Sequence, residues 1–266
     1  MTRILSAVTA ALLFAAALHA HDFWIEPSTF HPAAGMTVAV GLRVGQNFVG
    51  DPVPRSSPYI ERFVVKQGTV EEPINGVDST DPAGWFTANG RVPAVIAYRS
   101  KPSRVEQPAA KFEDYLRQQG LERIVALRAQ RGERGKPGTE IFSRCAKAIL
   151  TGERASIAVT QPVGLRYEIV PSADPTFGGA PFRGRVVYER TPAAGMLVEA
   201  IFLKQPSIRL AARSDAAGAF SFALPRAGVW LIKSVQMIGA PRGADAEWES
   251  LWASLTFDAP PAEGRP

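Results

Sequence analysis

What most limits the folds open to this chain is a recurrent pattern of short alternating runs, cut apart by Gly- and Pro-rich joints. Thr37–Val44 is the clearest, with Val38, Val40, Leu42 and Val44 on one face. A period of two belongs to a half-buried strand, because successive side chains point to opposite faces. Arg62–Lys66 and Val92–Tyr98 are further short runs, and joints fall at Pro32–Gly35, Gly50–Pro54 and Asp81–Gly84. Short strands at such spacing predict a β-sandwich.

One stretch breaks the pattern. Phe112, Tyr115 and Leu116, then Leu121, Ile124, Val125 and Arg128 beyond Gly120, lie at helical spacing. They predict a helical hairpin inserted over about 111–131, followed by a basic, glycine-rich loop at Gly132–Gly138. Glu140–Leu150 fits a helix or a strand equally well by periodicity. From Leu165 the strand pattern returns in Gly184–Tyr188, Met196–Leu203, Val229–Lys233 and Trp252–Phe257. Asp215 and Gly218 suit a tight turn with a left-handed residue, leading into alternating Phe220 and Phe222. The predicted fold is mostly β. It has two immunoglobulin-like or transthyretin-like sandwich domains, 21–165 with the helical insertion and 166–259, and a disordered Pro-rich tail over 260–266.

Residues 1–20 read as a cleavable signal peptide. Arg3 supplies the positive start, Ile4–Leu18 an uncharged apolar run, and Ala20 a small residue at the cut. Cleavage after Ala17 is the rival. No other segment is long and apolar enough to span a bilayer, so the mature chain is expected to lack a transmembrane segment and to be periplasmic. Cys145 is the single cysteine, which excludes an intramolecular disulfide and predicts a buried, inert thiol over a reactive one. The chain without its leader is long enough for two domains and a core that needs no staples.

The net charge is +5, of which the leader carries one unit in Arg3. Basic residues crowd between Lys111 and Lys147 (Arg117, Arg123, Arg128, Arg131, Arg134, Lys136, Arg144), which predicts a solvated helical face. No aromatics interleave with them as stacking platforms, so nucleic acid is not an expected partner. Glu140, Arg144 and Lys147 read as a surface ion network. Phe23, Trp24, Trp230, Trp248 and Trp252 read as packing between sheets.

The chain lacks a nucleophile elbow, a zincin helix motif, a paired CxxC, a P-loop and a dinucleotide fingerprint, and no enzymatic activity is expected. Its chemistry rests on His21 and His31, the histidines beyond the leader. Cleavage after Ala20 would give His21 a free α-amine. Amine and imidazole of one residue can chelate a single ion, and imidazole suits Cu, Ni and Zn. Asp22 and His31 are the candidate co-ligands. The competing reading makes His21 the hydrogen-bonded start of the first strand.

Two resemblances add to this. The order of strand, Asp-x-x-Gly-x-Phe turn, strand, Pro-x-x-Gly-x-Trp turn and strand over Pro171–Ala259 resembles the transthyretin-like or carboxypeptidase-regulatory-like module. Five further segments, His21–Ser28, Lys111–Leu116 with Gly120–Glu122, Glu140–Lys147, Val163–Pro175 and Trp248–Phe257, together resemble the periplasmic "domain of unknown function" family 4198. That family is similar to extracytoplasmic components found with nickel and cobalt uptake systems. The resemblance implies a metal role centred on His21 and a membrane-embedded or outer-membrane transport component as partner. Gln236 stands where the family is expected to carry a histidine. The function expected is therefore binding or delivery of one divalent transition metal ion for uptake. The alternative is a non-catalytic sandwich module that binds a carbohydrate, an envelope component or an outer-membrane protein.

Overall fold

The structure, a computed structural model, describes residues 21–178 and 181–261. The expected signal peptide and most of the expected tail lie outside the described residues. Among the described residues the chain forms seventeen strands and two α-helices. In chain order the first part comprises β1 (Asp22–Pro27), β2 (Thr37–Gln46), β3 (Val49–Pro52), β4 (Ile60–Gln67), β5 (Val70–Pro73), β6 (Gly84–Thr87), β7 (Ala94–Ser100), β8 (Ser103–Gln107), α1 (Ala109–Gln118), α2 (Glu122–Gln130) and β9 (Gly138–Leu150). The second part comprises β10 (Tyr167–Pro171), β11 (Phe182–Tyr188), β12 (Thr191–Pro192), β13 (Leu197–Phe202), β14 (Arg209–Arg213), β15 (Ala219–Phe222), β16 (Gly228–Gly239) and β17 (Trp248–Ala259). The fold is thus mostly β, a sandwich with a helical insertion, as the sequence predicts.

A nine-stranded sheet runs β14-β13-β16-β17-β9-β7-β4-β5, with β8 also paired to β9. It draws strands from both parts of the chain. They join at β9 and β17, which pair in parallel from Glu140 with Trp248 to Ile149 with Phe257. Its other pairings are antiparallel.

Side-chain parity shows that this sheet is covered on both faces. Ala146, Ala148 and Leu150 of β9 pack in one core with Ile25, Val40 and Leu42, from the four-stranded sheet of β1, β2, β3 and β6. The residues between them point the other way: Cys145 meets Leu165, and Ile149 joins a core containing Ile169 and Val186 of the sheet formed by β10, β11, β12 and β15. β17 obeys the same rule. Phe257 stacks on Phe182 at 5.1 Å, while the Thr256 hydroxyl donates to the Ile25 carbonyl at 2.9 Å on the opposite side. The two small sheets therefore sandwich the large one. A strand buried on both faces has no polar side and loses its alternation, which is why Glu140–Leu150 does not declare its type in sequence.

The helical hairpin covers the remainder of the face that carries β1. It breaks at Gly120, whose φ of +66° is open to glycine and whose Cβ, if present, would stand 2.6 Å from that of Leu197. Phe112, Tyr115, Leu116, Leu121 and Ile124 all bury into the core. Arg128, on the same helical stripe, is fully buried rather than solvated. It lies over the Phe112 ring at 4.9 Å and donates to the carbonyls of Glu133 and Lys136 at 3.1 and 2.8 Å. It thereby closes the basic loop before β9. Arg117, Arg131, Arg134 and Lys136 remain exposed, as the sequence suggests.

Two buried lysines and their carboxylate partners fasten the layers. On one face, Lys147 of β9 contacts Glu168 of β10 at 2.8 Å, each about 1% exposed. The same carboxylate accepts from the backbone N–H groups of Val163, Gly164 and Leu165 at 2.9 to 3.2 Å. On the other face Lys233 of β16 contacts Asp22 of β1 at 2.7 Å and Glu199 of β13 at 3.1 Å.

Two outcomes test this arrangement. Lys147→Met leaves the Glu168 carboxylate buried without its counter-charge and should cost about 3–5 kcal/mol, read from urea unfolding at pH 7. Cys145 is 1% exposed, and burial pushes its thiol up to about 11. It should therefore resist a thiol-reactive disulfide reagent in the native protein and react once per chain in denaturant.

Candidate functional site

The candidate ligands of the N-terminus are not gathered in one place. His21 starts the described chain just before β1, half-buried, and its carbonyl accepts from Arg144 Nη1 at 2.6 Å. Asp22 is buried, and its Oδ1 is engaged by Lys233. His31 is exposed, with its Nε2 2.9 Å from Asp258 Oδ2. Arg144 sits opposite Trp252 in the β9–β17 pair. Asp258 lies six residues farther along β17, so about 20 Å of strand separates the surroundings of His21 from those of His31. Among the described residues no three His, Cys, Asp or Glu side chains group in a way that could hold a metal ion. His21 and Asp22 remain neighbours in sequence, but Asp22 serves the Lys233 pair.

What the fold does build beside His21 is a cleft. It follows from a change of partner along one edge of β9. β8 pairs with Gly138–Phe142 and β7 with Cys145–Leu150. At the changeover the backbone N–H of Arg144 donates to Ser100 Oγ at 2.9 Å instead of to a strand carbonyl. The gap beneath the small sheet leaves a volume of about 450 Å³. Phe23 of β1, Leu42 and Val44 of β2 and Val53 form one wall; Tyr98 of β7, Val105 of β8 and Phe142 of β9 form the other, with Tyr59 and Arg104 also lining it. Tyr98 is fixed between Phe23 (ring centroids 5.1 Å) and Phe63 (5.5 Å, edge to face). Burial pushes its phenol up to about 12, against the pull of the Arg144 and Arg55 charges, so it stays neutral.

Arg144 is the one charged residue of the cleft that is buried, at 5% exposure. Its guanidinium carbon lies 4.6 Å from the Trp252 ring centroid and 5.0 Å from that of Phe142. Burial lowers it to about 10, so it keeps its charge at neutral pH. Behind Trp252 stands Tyr115 of α1, stacked on it at 5.7 Å with the rings 6° apart. The Tyr115 hydroxyl donates to Glu140 Oε2 at 3.2 Å. Burial pushes the Glu140 carboxyl up to about 7, although bonds from Ser250 and Tyr115 and the Arg144 charge favour ionisation. A charged arginine thus lies over Trp252, and the acid reaches that ring only through Tyr115; of the two, only the arginine lines the cleft.

The surface reading of Glu140, Arg144 and Lys147 is corrected here. All three are buried, and they do not form one cluster: Glu140 and Arg144 share a face of the sheet, while Lys147 points to the other and pairs with Glu168. The packing reading of Trp24, Trp230, Trp248 and Trp252 holds, since each is at most 6% exposed. Phe23 packs too, and it also walls the cleft. The cleft itself escapes sequence reasoning. Its one visible trace is an arginine inside the strand Phe142-Ser-Arg144-Cys-Ala, with Phe142 two residues before it and Ala146 two residues after it on the same face.

A family model described as "Domain of unknown function (DUF4198)" matches residues 18–237, most of the chain. No curated protein matches the chain.

The Glu140 environment has a consequence for stability. The unfolded chain releases this proton near the ordinary value of 4.5, whereas the native state holds it to about 7. Between those values the native state binds more protons, so its stability falls as pH rises through that window and levels off above it. Glu140→Gln cannot ionise and should remove this part of the fall. Urea midpoints from pH 4.5 to 8 should show the variant gaining on the wild type by about 3 kcal/mol at the upper end.

Proposed function

We propose, from the premise that the chain belongs to the DUF4198 family and from the form of its cleft, that it is an exported, non-catalytic binding module that holds an envelope component with an apolar body. The single observation that carries this reading is the 450 Å³ cleft walled by Phe23, Leu42, Val44, Val53 and Phe142. Its size lies within the range of small-molecule sites, and apolar walls with few polar groups are their usual lining. The leader-like residues 1–20 support a periplasmic location. The lining offers hydroxyls from Ser56, Ser100 and Ser103 but no carboxylate, histidine or cysteine, and the reading needs none.

A second, narrower reading keeps the metal. It rests on His21, whose main chain is anchored by Arg144 while its side chain stays half-buried at the start of the described chain. Cleavage after Ala20 would set an α-amine beside this imidazole, giving a two-donor chelate for nickel, cobalt or copper that needs neither Asp22 nor His31. A membrane-embedded or outer-membrane transport component would then receive the ion.

The readings separate by titration of protein purified from an export-competent host, with its N-terminus sequenced. The neutral apolar dye N-phenyl-1-naphthylamine should bind saturably, and Val53→Asp on the cleft wall should weaken it about tenfold, since an unpaired charge would face the apolar site. A dye response that never saturates, or that Val53→Asp leaves unchanged, would overturn the cleft reading. For the metal, calorimetry should give a Kd below about 100 μM for at least one of the three ions, abolished by one extra residue before His21.

A further inference from the structure

The cleft has a polar end, and its chemistry narrows the ligand. Arg144 is buried, but only one of its guanidinium nitrogens is used by the protein: Nη1 donates to the His21 carbonyl. Among the described residues Nε and Nη2 make no hydrogen bond, neither is fully buried, and the residue lines the cleft. These two form the side fork of the guanidinium, whose parallel N–H groups match the two oxygens of a carboxylate. The rings of Trp252 and Phe142 fix the plane of that fork. The other charged residue of the lining is Arg104, also cationic, and no carboxylate lines the cleft.

The buried acids nearby do not meet this need. Asp22 and Glu140 are close enough to act on the Arg144 charge. However, Asp22 Oδ1 is held by Lys233 at 2.7 Å, and Glu140 accepts from the Tyr115 hydroxyl at 3.2 Å and makes no hydrogen bond to Arg144. A desolvated guanidinium with one carbonyl partner is costly. An anion brought in by a ligand would supply the missing partner.

We propose that the cleft binds a single-chain aliphatic carboxylate, with its carboxylate on the Nε–Nη2 edge of Arg144 and its chain against Phe23, Leu42, Val44, Val53 and Phe142. This rests on the cleft reading above and names its ligand class. The cleft volume accommodates one short acyl chain, and the single fork accommodates one anionic head. A diacyl phospholipid would present two chains and a bulkier head.

The test is a ligand series on the wild-type protein, which needs no variant to fold. Octanoate, octanol and octylamine share a chain and differ in head-group charge. Each is titrated at pH 8, by displacement of N-phenyl-1-naphthylamine. Octanoate should bind at least about tenfold more tightly than octanol, the scale of a charge-assisted hydrogen bond, and octylamine more weakly than either. Arg144→Gln should erase the octanoate advantage while octanol binding changes less than about twofold; circular dichroism checks its fold. Equal affinity for octanoate and octanol would overturn the carboxylate proposal and leave the cleft reading standing. Dye binding that none of the three displaces, with phosphatidylglycerol vesicles displacing it, would overturn the proposal in favour of a lipid surface. An absence of saturable dye binding would overturn the cleft reading itself.

Discussion

The parallel pairing of β9 with β17 is the constraint on which the rest of this molecule depends. It joins Glu140–Ile149 to Trp248–Phe257 across more than a hundred residues of chain. A parallel pair cannot be made by a hairpin and needs a crossover between its strands. Here β10 to β16 lie within that crossover, and β17 pairs on its other edge with β16, from Gly228 with Ala259 to Gly239 with Trp248. Contacts this distant in sequence carry a high loop-closure cost and slow folding. The closing strands repay it by being buried on both sides.

That double burial also explains the composition of the seam. β9 reads Arg-Cys-Ala-Lys-Ala-Ile-Leu and β17 reads Ser-Leu-Trp-Ala-Ser-Leu-Thr-Phe. Small residues are interspersed with large ones in both strands. Polar atoms inside such a strand need partners in one of the two flanking layers. Thr256 finds the Ile25 carbonyl in one layer, and Lys147 finds Glu168 in the other. Each link of this kind ties a small sheet to the large one at a fixed register.

How much of this is legible in the sequence differs by element. Strands with one wet face were readable: Thr37–Val44 shows its alternation and packs as that alternation requires, and the Asp215–Gly218 turn has Gly218 at φ +71° with Asp215 accepting from Ala217 and Ala219. The helical hairpin was readable from Phe112, Tyr115, Leu116 and Ile124. The seam was not, because periodicity vanishes when both faces are buried. Nor could charge reveal burial: Arg128, Arg144 and Lys147 look like their solvated neighbours Arg131 and Lys136, and only their partners in the folded chain distinguish them. The cleft was illegible for a similar reason. It arises where β9 exchanges β8 for β7, a tertiary event with no local signature beyond Ser100 and Arg144.

The buried charges themselves then say which of them belongs to the fold. Lys147 has a carboxylate that three backbone N–H groups also hold, so that site is complete. Lys233 has two carboxylates, and Glu199 is shared with Arg209 at 3.2 Å. Arg128 has two carbonyls and an aromatic ring, and it closes a loop that would otherwise stand off the sheet. Arg144 differs. It has one carbonyl and two rings, and no carboxylate that is not already engaged elsewhere. For stability alone, a methionine would fill its place between Phe142 and Trp252 without the desolvation cost. A strand buried on both faces tolerates such a cost poorly, and here it falls where the sheet opens into its apolar cleft. Arg128 also keeps Nε and Nη1 buried without a hydrogen bond, but away from the cleft; Arg144 is the buried charge that lines it.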